Sequence, residues 1–232
     1  MGKKGYGSAF GAPQRTCYCY IKYLNEYYKR KFNVLVIDAL DGIHVLPFAR
    51  KNNLVDCYET NKTLLYGGVL DGFNIIGLKE KMNIFKLNNL IKIYEENFYE
   101  KKCDKKYDFV YVYRSLHLNR NKNIINERKI RKILSSVKEN GYVYILYHLA
   151  DNEKDYINFP KNQYFRKGEI ARLFDERWDI IDNHERKDKT IHNRHPFNCT
   201  EHKHKVGYIF ARKKSNRVKY KYHYNFIFDS IY

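Results

Sequence analysis

Proline is scarce, with 4 in 232 residues, and tryptophan occurs once. So little proline argues against a polyproline-rich or low-complexity chain. The 5 cysteines are Cys17, Cys19, Cys57, Cys103 and Cys199; their number is odd and no C-x-x-C pair occurs. A disulfide framework does not fit that usage, and free thiols in a reducing compartment are expected. No apolar run approaches the ~18 residues that a membrane span needs, and the opening residues lack a signal-peptide pattern. Met1-Gly2-Lys3-Lys4-Gly5-Tyr6 also lacks the hydroxyl residue of a myristoylation site. The expectation is a cytoplasmic chain with no membrane partner.

Acidic residues are in the minority, with 26 Asp+Glu against 44 Lys+Arg and a formal charge of +18. A surface of that sign attracts anions, so nucleic acid is a partner the charge admits, beside anionic lipid or an acidic substrate. The abundance of Lys, Asn, Ile and Tyr is also what AT-rich coding produces, so charge alone does not assign the partner. Hydrophobic residues at 44% and aromatics at 16% are enough for a packed core. One domain of this length buries roughly 70% of its unfolded surface.

Residues 1–12 are Gly-rich and basic without periodicity and read as a flexible arm. From Pro13 to Lys31, Tyr18, Ile21, Leu24 and Tyr28 recur at helical spacing. Short, nearly continuous apolar runs follow at Asn33–Asp38, Leu54–Glu59, Leu90–Tyr94, Tyr107–Tyr113 and Tyr142–Tyr147. Such runs are strands buried on both faces. Helices are expected from Ile43 to Lys51 and, after a Thr60 cap, beyond the second strand. A further helix is expected over Ile124–Lys138 with Asn140-Gly141 as its stop, and another over Gly168–Glu176. Residues 67–78 read as a loosened connection. Trp178–Asp182 and Val206–Arg212 are strands joined by a His-rich loop without a helix, hence antiparallel. The prediction is a Rossmann-like, doubly wound α/β sheet of seven strands, mostly parallel, ending in a C-terminal antiparallel hairpin. One domain spans 13–213, with a basic, aromatic extension over 214–232.

Val34-Leu35-Val36-Ile37-Asp38-Ala39-Leu40-Asp41-Gly42 before an amphipathic helix resembles the first motif of the class I S-adenosylmethionine-dependent methyltransferases. Glu59 closes the second strand where that family has its ribose-binding acid. Ile93-Tyr94-Glu95-Glu96-Asn97-Phe98 resembles its adenine-contacting third-strand motif, and Lys106–Val112 with Ser115-Leu116-His117 resembles the fourth. Gly168-Glu169-Ile170 and His204–Lys213 are similar to the end of the small tellurite-resistance-type branch. The resemblance covers about residues 6–213. It implies S-adenosylmethionine as cofactor, methyl transfer to a small-molecule or nucleotide-like acceptor, and no metal. Cofactor contacts are then expected at Asp38, Ala39, Asp41, Gly42, Glu59, Glu96, Asn97 and Tyr113.

The first motif departs from the family. Val36 stands in place of the acid, and Asp38 and Leu40 replace two glycines, so only Gly42 remains. A Leu at that turn is expected to crowd the ligand or push the loop outward, because only Gly allows close backbone approach without strain. A non-catalytic relative or a repurposed pocket is therefore one alternative. A nucleic-acid-binding or nucleic-acid-modifying protein is the other.

On the acceptor side, Arg114 and His117 follow the fourth strand and His148 closes the fifth, where open α/β sheets bind ligands. They are the catalytic candidates: a histidine can take a proton near neutrality, and an arginine can hold an anion. Tyr147 is expected to face the same crevice. His192-x-x-His195-x-x-x-Cys199-x-x-His202 holds residue types that zinc accepts, but the spacing matches no standard zinc signature. His192, His195, His202 and His204 are read instead as walls of the acceptor pocket. The tyrosines of the first helix and the Lys/Tyr stretch 219–224 interleave rings with charges as single-strand binders do. No nucleic-acid signature of fixed spacing accompanies them.

Overall fold

The computed structural model describes residues 7–113, 115–118, 123–155, 161–186, 190–192, 195–197 and 202–215; the side chains of 154, 190–192 and 202 lie outside that description. Helix α1 runs over Arg15–Tyr28 and buries Cys17, Tyr20, Ile21 and Leu24, the stripe its periodicity marks. Lys29 ends it in the left-handed region at φ 51°, its N–H returning to Asn25 O. Strand β1 (Asn33–Ile37) lies parallel to β2 (Leu54–Tyr58) on one side and to β6 (Tyr107–Tyr113) on the other. Beyond them sit β5 (Ile91–Tyr94) next to β2 and β7 (Val137–Leu149) next to β6, also parallel. β10 (His202–Lys213) pairs antiparallel with β7 and with β8 (Trp178–Glu185). The order is β5-β2-β1-β6-β7-β10-β8, with β9 (Thr190–His192) paired to the start of β10. The expected seven-stranded doubly wound sheet with its antiparallel end is what the chain forms.

All seven residues of β6 are buried, as its unbroken apolar run requires, and the two faces of the sheet carry separate cores. Helix α2 (Val45–Arg50) packs on one face and α5 (Asn126–Ser135) on the other. Aromatic pairs build the first core. The Tyr20 ring stands 5.0 Å from Tyr144 and 4.4 Å from Phe210, and Tyr111 stacks on Tyr144 at 5.1 Å. Tyr23 Oη pairs with Tyr142 Oη at 3.3 Å, and Tyr28 Oη donates to Asp108 O at 3.0 Å. Most of the first helix's tyrosines therefore pack inward and offer no ring to a base; Tyr18 and Tyr27 remain exposed.

Several local expectations are corrected. Residues 68–75 form a hairpin, β3 (Gly68–Leu70) with β4 (Phe73–Ile75), because Asp71 and Gly72 supply two consecutive positive φ values. Asn61, rather than Thr60, caps α3 (Lys62–Tyr66): its Oδ1 accepts Leu64 N at 3.2 Å. The segment Leu78–Ile84 forms α4. Helix α5 ends at Ser135, and Asn140, at φ 60°, lies inside β7, where the register against β6 shifts. Only a 3-10 turn, Ala171–Leu173, forms where a helix over Gly168–Glu176 is expected. Of the segment read as a flexible arm, Ser8 and Ala9 are held against Asp41. Residues 216–232 lie outside the described part, including the Lys/Tyr stretch 219–224.

Candidate functional site at the carboxyl edge of the sheet

β1 is the strand at which chain connections diverge, to β2 on one side and β6 on the other, so its carboxyl end is the switch point where open α/β sheets form their ligand crevice. The chain leaves β1 through an alternating turn: Asp38 has φ 58°, Leu40 φ 53° and Gly42 φ 91°. Gly42 is needed there, since a Cβ would stand 2.6 Å from Leu78 Cδ1 in an unfavourable torsion. Asp tolerates the left-handed region; Leu does not, at about 1–2 kcal/mol. Leu40 is held there by burial in a cluster with Ile43, Leu64 and Ile75, against which Ala9, Phe10, Leu70 and Phe73 pack.

Every carboxylate at this turn is engaged within the chain. Glu59, fully buried, accepts Leu40 N through Oε2 at 2.9 Å and Thr60 N and Asn61 N through Oε1 at 2.8 Å each. Asp41, equally buried, accepts Ser8 Oγ at 2.7 Å, Ala9 N at 2.9 Å and Lys81 Nζ at 2.9 Å. Asp38 Oδ2 accepts from Ser115 Oγ, whose other partner is Tyr99 Oη at 2.7 Å. Ala39 N donates to Tyr58 O at 2.9 Å. At the end of β5, Glu96 pairs with Lys101 at 3.3 Å, and Asn97 Oδ1 accepts Tyr99 N at 3.0 Å. Tyr113 packs its ring on His44 at 4.2 Å.

On the other side of the crevice, three elements bring three imidazoles together. His117 follows β6, His148 lies near the end of β7, and His204 lies near the start of β10. Their rings stack, 3.9 Å between His117 and His148 and 4.3 Å between His148 and His204, with planes 15° and 19° apart. All three are buried. Nearly parallel rings hold their nitrogen lone pairs in parallel planes that do not converge on a point. The stack is thus unsuited to one shared metal, and among the described residues no His/Cys/Asp/Glu group suits one.

Tyr147 does not join His148 in the crevice. Neighbouring strand residues face opposite ways, and Tyr147 packs on Phe165 at 5.5 Å while donating to Glu185 Oε1 at 2.9 Å. His195 is apart from the stack too, beside Phe10 at 6.0 Å. His192 and His202 pair across β9 and β10, with side chains outside the described part, and Arg114 and Cys199 lie outside it altogether.

Lys129 was not expected. It is fully buried on α5 and donates to Leu116 O at 2.8 Å, between Ser115 and His117. Burial pulls its ammonium down to about 8, against the opposing pull of Asp38. A lysine one step before Ile130 in a helical pattern reads as solvated; only the tertiary contact with the 115–117 turn gives it away.

No family model matches the sequence, and no curated protein does. Solved structures do match the fold. TehB from Haemophilus influenzae superposes with a TM-score of 0.64 at 17% identity over 84% of this chain, which spans 62% of that protein. A Burkholderia thailandensis 1,6-didemethyltoxoflavin-N1-methyltransferase with bound S-adenosylhomocysteine gives 0.53 at 13% identity, covering 87% of this chain and 78% of that one. This is the class I methyltransferase fold. The [4+2]-cyclase SpnF shares it, with a TM-score of 0.59 at 12% identity over 90% of this chain and 86% of its own. The methyltransferase fold thus sets where a ligand goes and leaves the chemistry to the site. For a sulfonium nucleoside, the turn, the acid ending β2 and the position at the switch point fit in kind. In the arrangement described, the same groups are closed over by Leu40 and the Ser8–Phe10 segment, and Glu59 has no exposed surface.

Proposed function

We propose that this chain is an S-adenosylmethionine-dependent methyltransferase acting on a small-molecule acceptor, with a donor end at residues 38–42 and Glu59 that opens when Ser8–Phe10 lifts away. One observation carries the reading. The chain keeps positive φ at Asp38, Leu40 and Gly42, the alternate positions of the family's glycines, although two of the three are no longer glycine. Unfavourable torsions of this kind cost energy and cluster at functional sites, where surrounding structure holds them.

The donor supplies an electrophilic methyl on sulfur. The chain's own residues hold and align. Glu59 fixes the backbone of the turn through Leu40 N; with the turn lifted, Oε2 is free to accept a ligand's hydroxyl while Oε1 stays on Thr60 N and Asn61 N. Asp38, kept in place by Ser115, presents a carboxylate toward a cationic group. His117, in its neutral form, is positioned to take a proton from the acceptor, with His148 and His204 stacked behind it to set its ring plane. Alignment of this kind is the main thing a protein adds to an in-line displacement.

A second reading has its own support: Leu40 in the hydrophobic cluster and all of Glu59's oxygens on main-chain donors also describe a relative that has given up the donor. Titration calorimetry with S-adenosylhomocysteine decides between them, on the full chain and on a variant lacking residues 1–11. Binding that tightens in the shortened chain supports the closed-site methyltransferase. No heat from either chain at millimolar ligand removes it.

A further inference from the structure

On the α5 face of the sheet lies an open cleft of about 450 Å³ between the 99–102 turn and the helix. Lys101, Lys102, Arg128, Arg131 and Lys132 line it, with Glu100 as the lining acid. The helical members sit at 128, 131 and 132, on one face of α5, opposite Ile130, Ile133 and Leu134 in the core. This is a concentration of one sign that the formal charge of +18 does not by itself require.

The cations are not neutralised evenly. Lys101 pairs with Glu96 at 3.3 Å, Lys102 with Asp104 at 3.2 Å and Arg131 with Glu127 at 2.6 Å, all at the exposed rim. Arg128 has no acidic partner among the described residues. Lys132 donates to the main-chain carbonyl of Lys101 and stands 5.0 Å over the Phe98 ring. Burial holds the Lys132 ammonium below its usual range; Cys103 and Glu100 pull the other way and Arg128 adds to the lowering. Arg128 and Lys132, four residues apart on one face of α5, thus present like charges to the same cleft, and a bound anion relieves their repulsion.

We propose that this cleft is a binding site for a compact phosphate-bearing anion, gripped by Arg128 and Lys132 with Lys101 and Lys102 at the rim. A guanidinium beside an ammonium suits phosphoryl oxygens: the planar fork takes two and the point charge a third. The nearby rings argue against a nucleic-acid strand. Phe98 is 1% and Tyr99 3% exposed, so neither offers a face on which a base could stack. The Tyr99 hydroxyl is turned inward to Ser115, which makes it a wall between the cleft and the crevice.

Pyrophosphate is the probe, titrated calorimetrically into the full chain, with a single-stranded oligonucleotide as the second arm. Arg128→Ala/Lys132→Gln removes two charges in the cleft and keeps a polar side chain at 132. Lys51→Ala/Lys167→Ala removes two exposed charges elsewhere and controls for net charge. The expected result is saturable pyrophosphate binding that weakens about tenfold or more in the cleft variant, because two charge-assisted contacts are lost, and is unchanged in the control. Equal weakening in both variants, no saturable binding, or binding of the oligonucleotide but not pyrophosphate overturns the proposal. Because the readout omits the methyl donor, it is independent of the donor-site measurement.

Discussion

Replacing Lys129 by Met tests whether the buried ammonium near Asp38 is a cost that the fold carries. The ammonium moves from 10.5 to about 8 on folding, a penalty of about 3 kcal/mol on the charged form at 1.36 kcal/mol per unit. The folded value lies below the unfolded one, so between about 8 and 10.5 the unfolded chain holds the extra proton. Stability from this group therefore rises with pH: its cost is complete below the folded value and gone above the unfolded one. Between pH 7 and pH 9 the wild type should gain about 1 kcal/mol relative to Lys129→Met. The high-lying tyrosine and cysteine groups are common to both chains and cancel in the difference. At pH 7 the net effect of the substitution is smaller than the penalty it removes, because Leu116 O loses its donor, at about 1–3 kcal/mol. Urea unfolding of both chains at pH 7, 8 and 9 reads the difference directly. Parallel stability-against-pH curves would show that Lys129 stays charged and hydrated in the fold, titrating as it does in the unfolded chain, and the reasoning would fail.

Three further outcomes are expected. Leu40→Gly removes left-handed strain of about 1 kcal/mol but also a buried side chain worth more, so the fold should lose about 1–3 kcal/mol while S-adenosylhomocysteine binds more tightly; a destabilised variant with unaltered binding makes Leu40 a packing residue only. Asp108 is held below its usual range: burial pushes it up, but Asn33 N–H, Arg30 and Lys138 outweigh that. The stability this contributes is present above the ordinary carboxylate value and lost as pH falls through the lower folded one. Asp108→Asn should therefore flatten the acid limb of the stability curve, and an unchanged acid limb refutes the assignment. Gly207→Ala places a Cβ 2.5 Å from the Tyr147 ring, so thermal melts should show a loss of about 1–3 kcal/mol; an unshifted melt would mean the ring has room to move.

Much of the scaffold is legible because its strands are buried on both faces. Runs such as Tyr107–Tyr113 have no polar member able to face water except Asp108, and that acid is engaged by Asn33, Arg30 and Lys138. The crossover rule then places them side by side. The hairpin at 68–75 and the early end of α5 escaped because both hinge on residues that accept positive φ, Asp71 and Asn140, whose choice between stop, turn and bulge depends on the neighbouring strand. The candidate site divides the same way. Glu59 and the 38–42 turn are placed by the ends of apolar runs, and His148 by its strand. His204 is read from the sequence as one of four histidines walling the acceptor pocket, and only the pairing of β10 on β7 stacks it against His148.

Chain order, apolar runs and the acid after each early strand determined the sheet, its switch point and the stretch where a ligand would dock, since those follow from which backbone must be buried. Tertiary packing alone decided that Leu40 adopts a glycine's torsion, that Glu59 clasps its own main chain and that Ser8 and Ala9 bind Asp41. Lys129 beneath the 115–117 turn and Lys132 on the main chain of the 99–102 turn belong to the same class. These are contacts between residues far apart in sequence, and their energies depend on distances that no local pattern encodes.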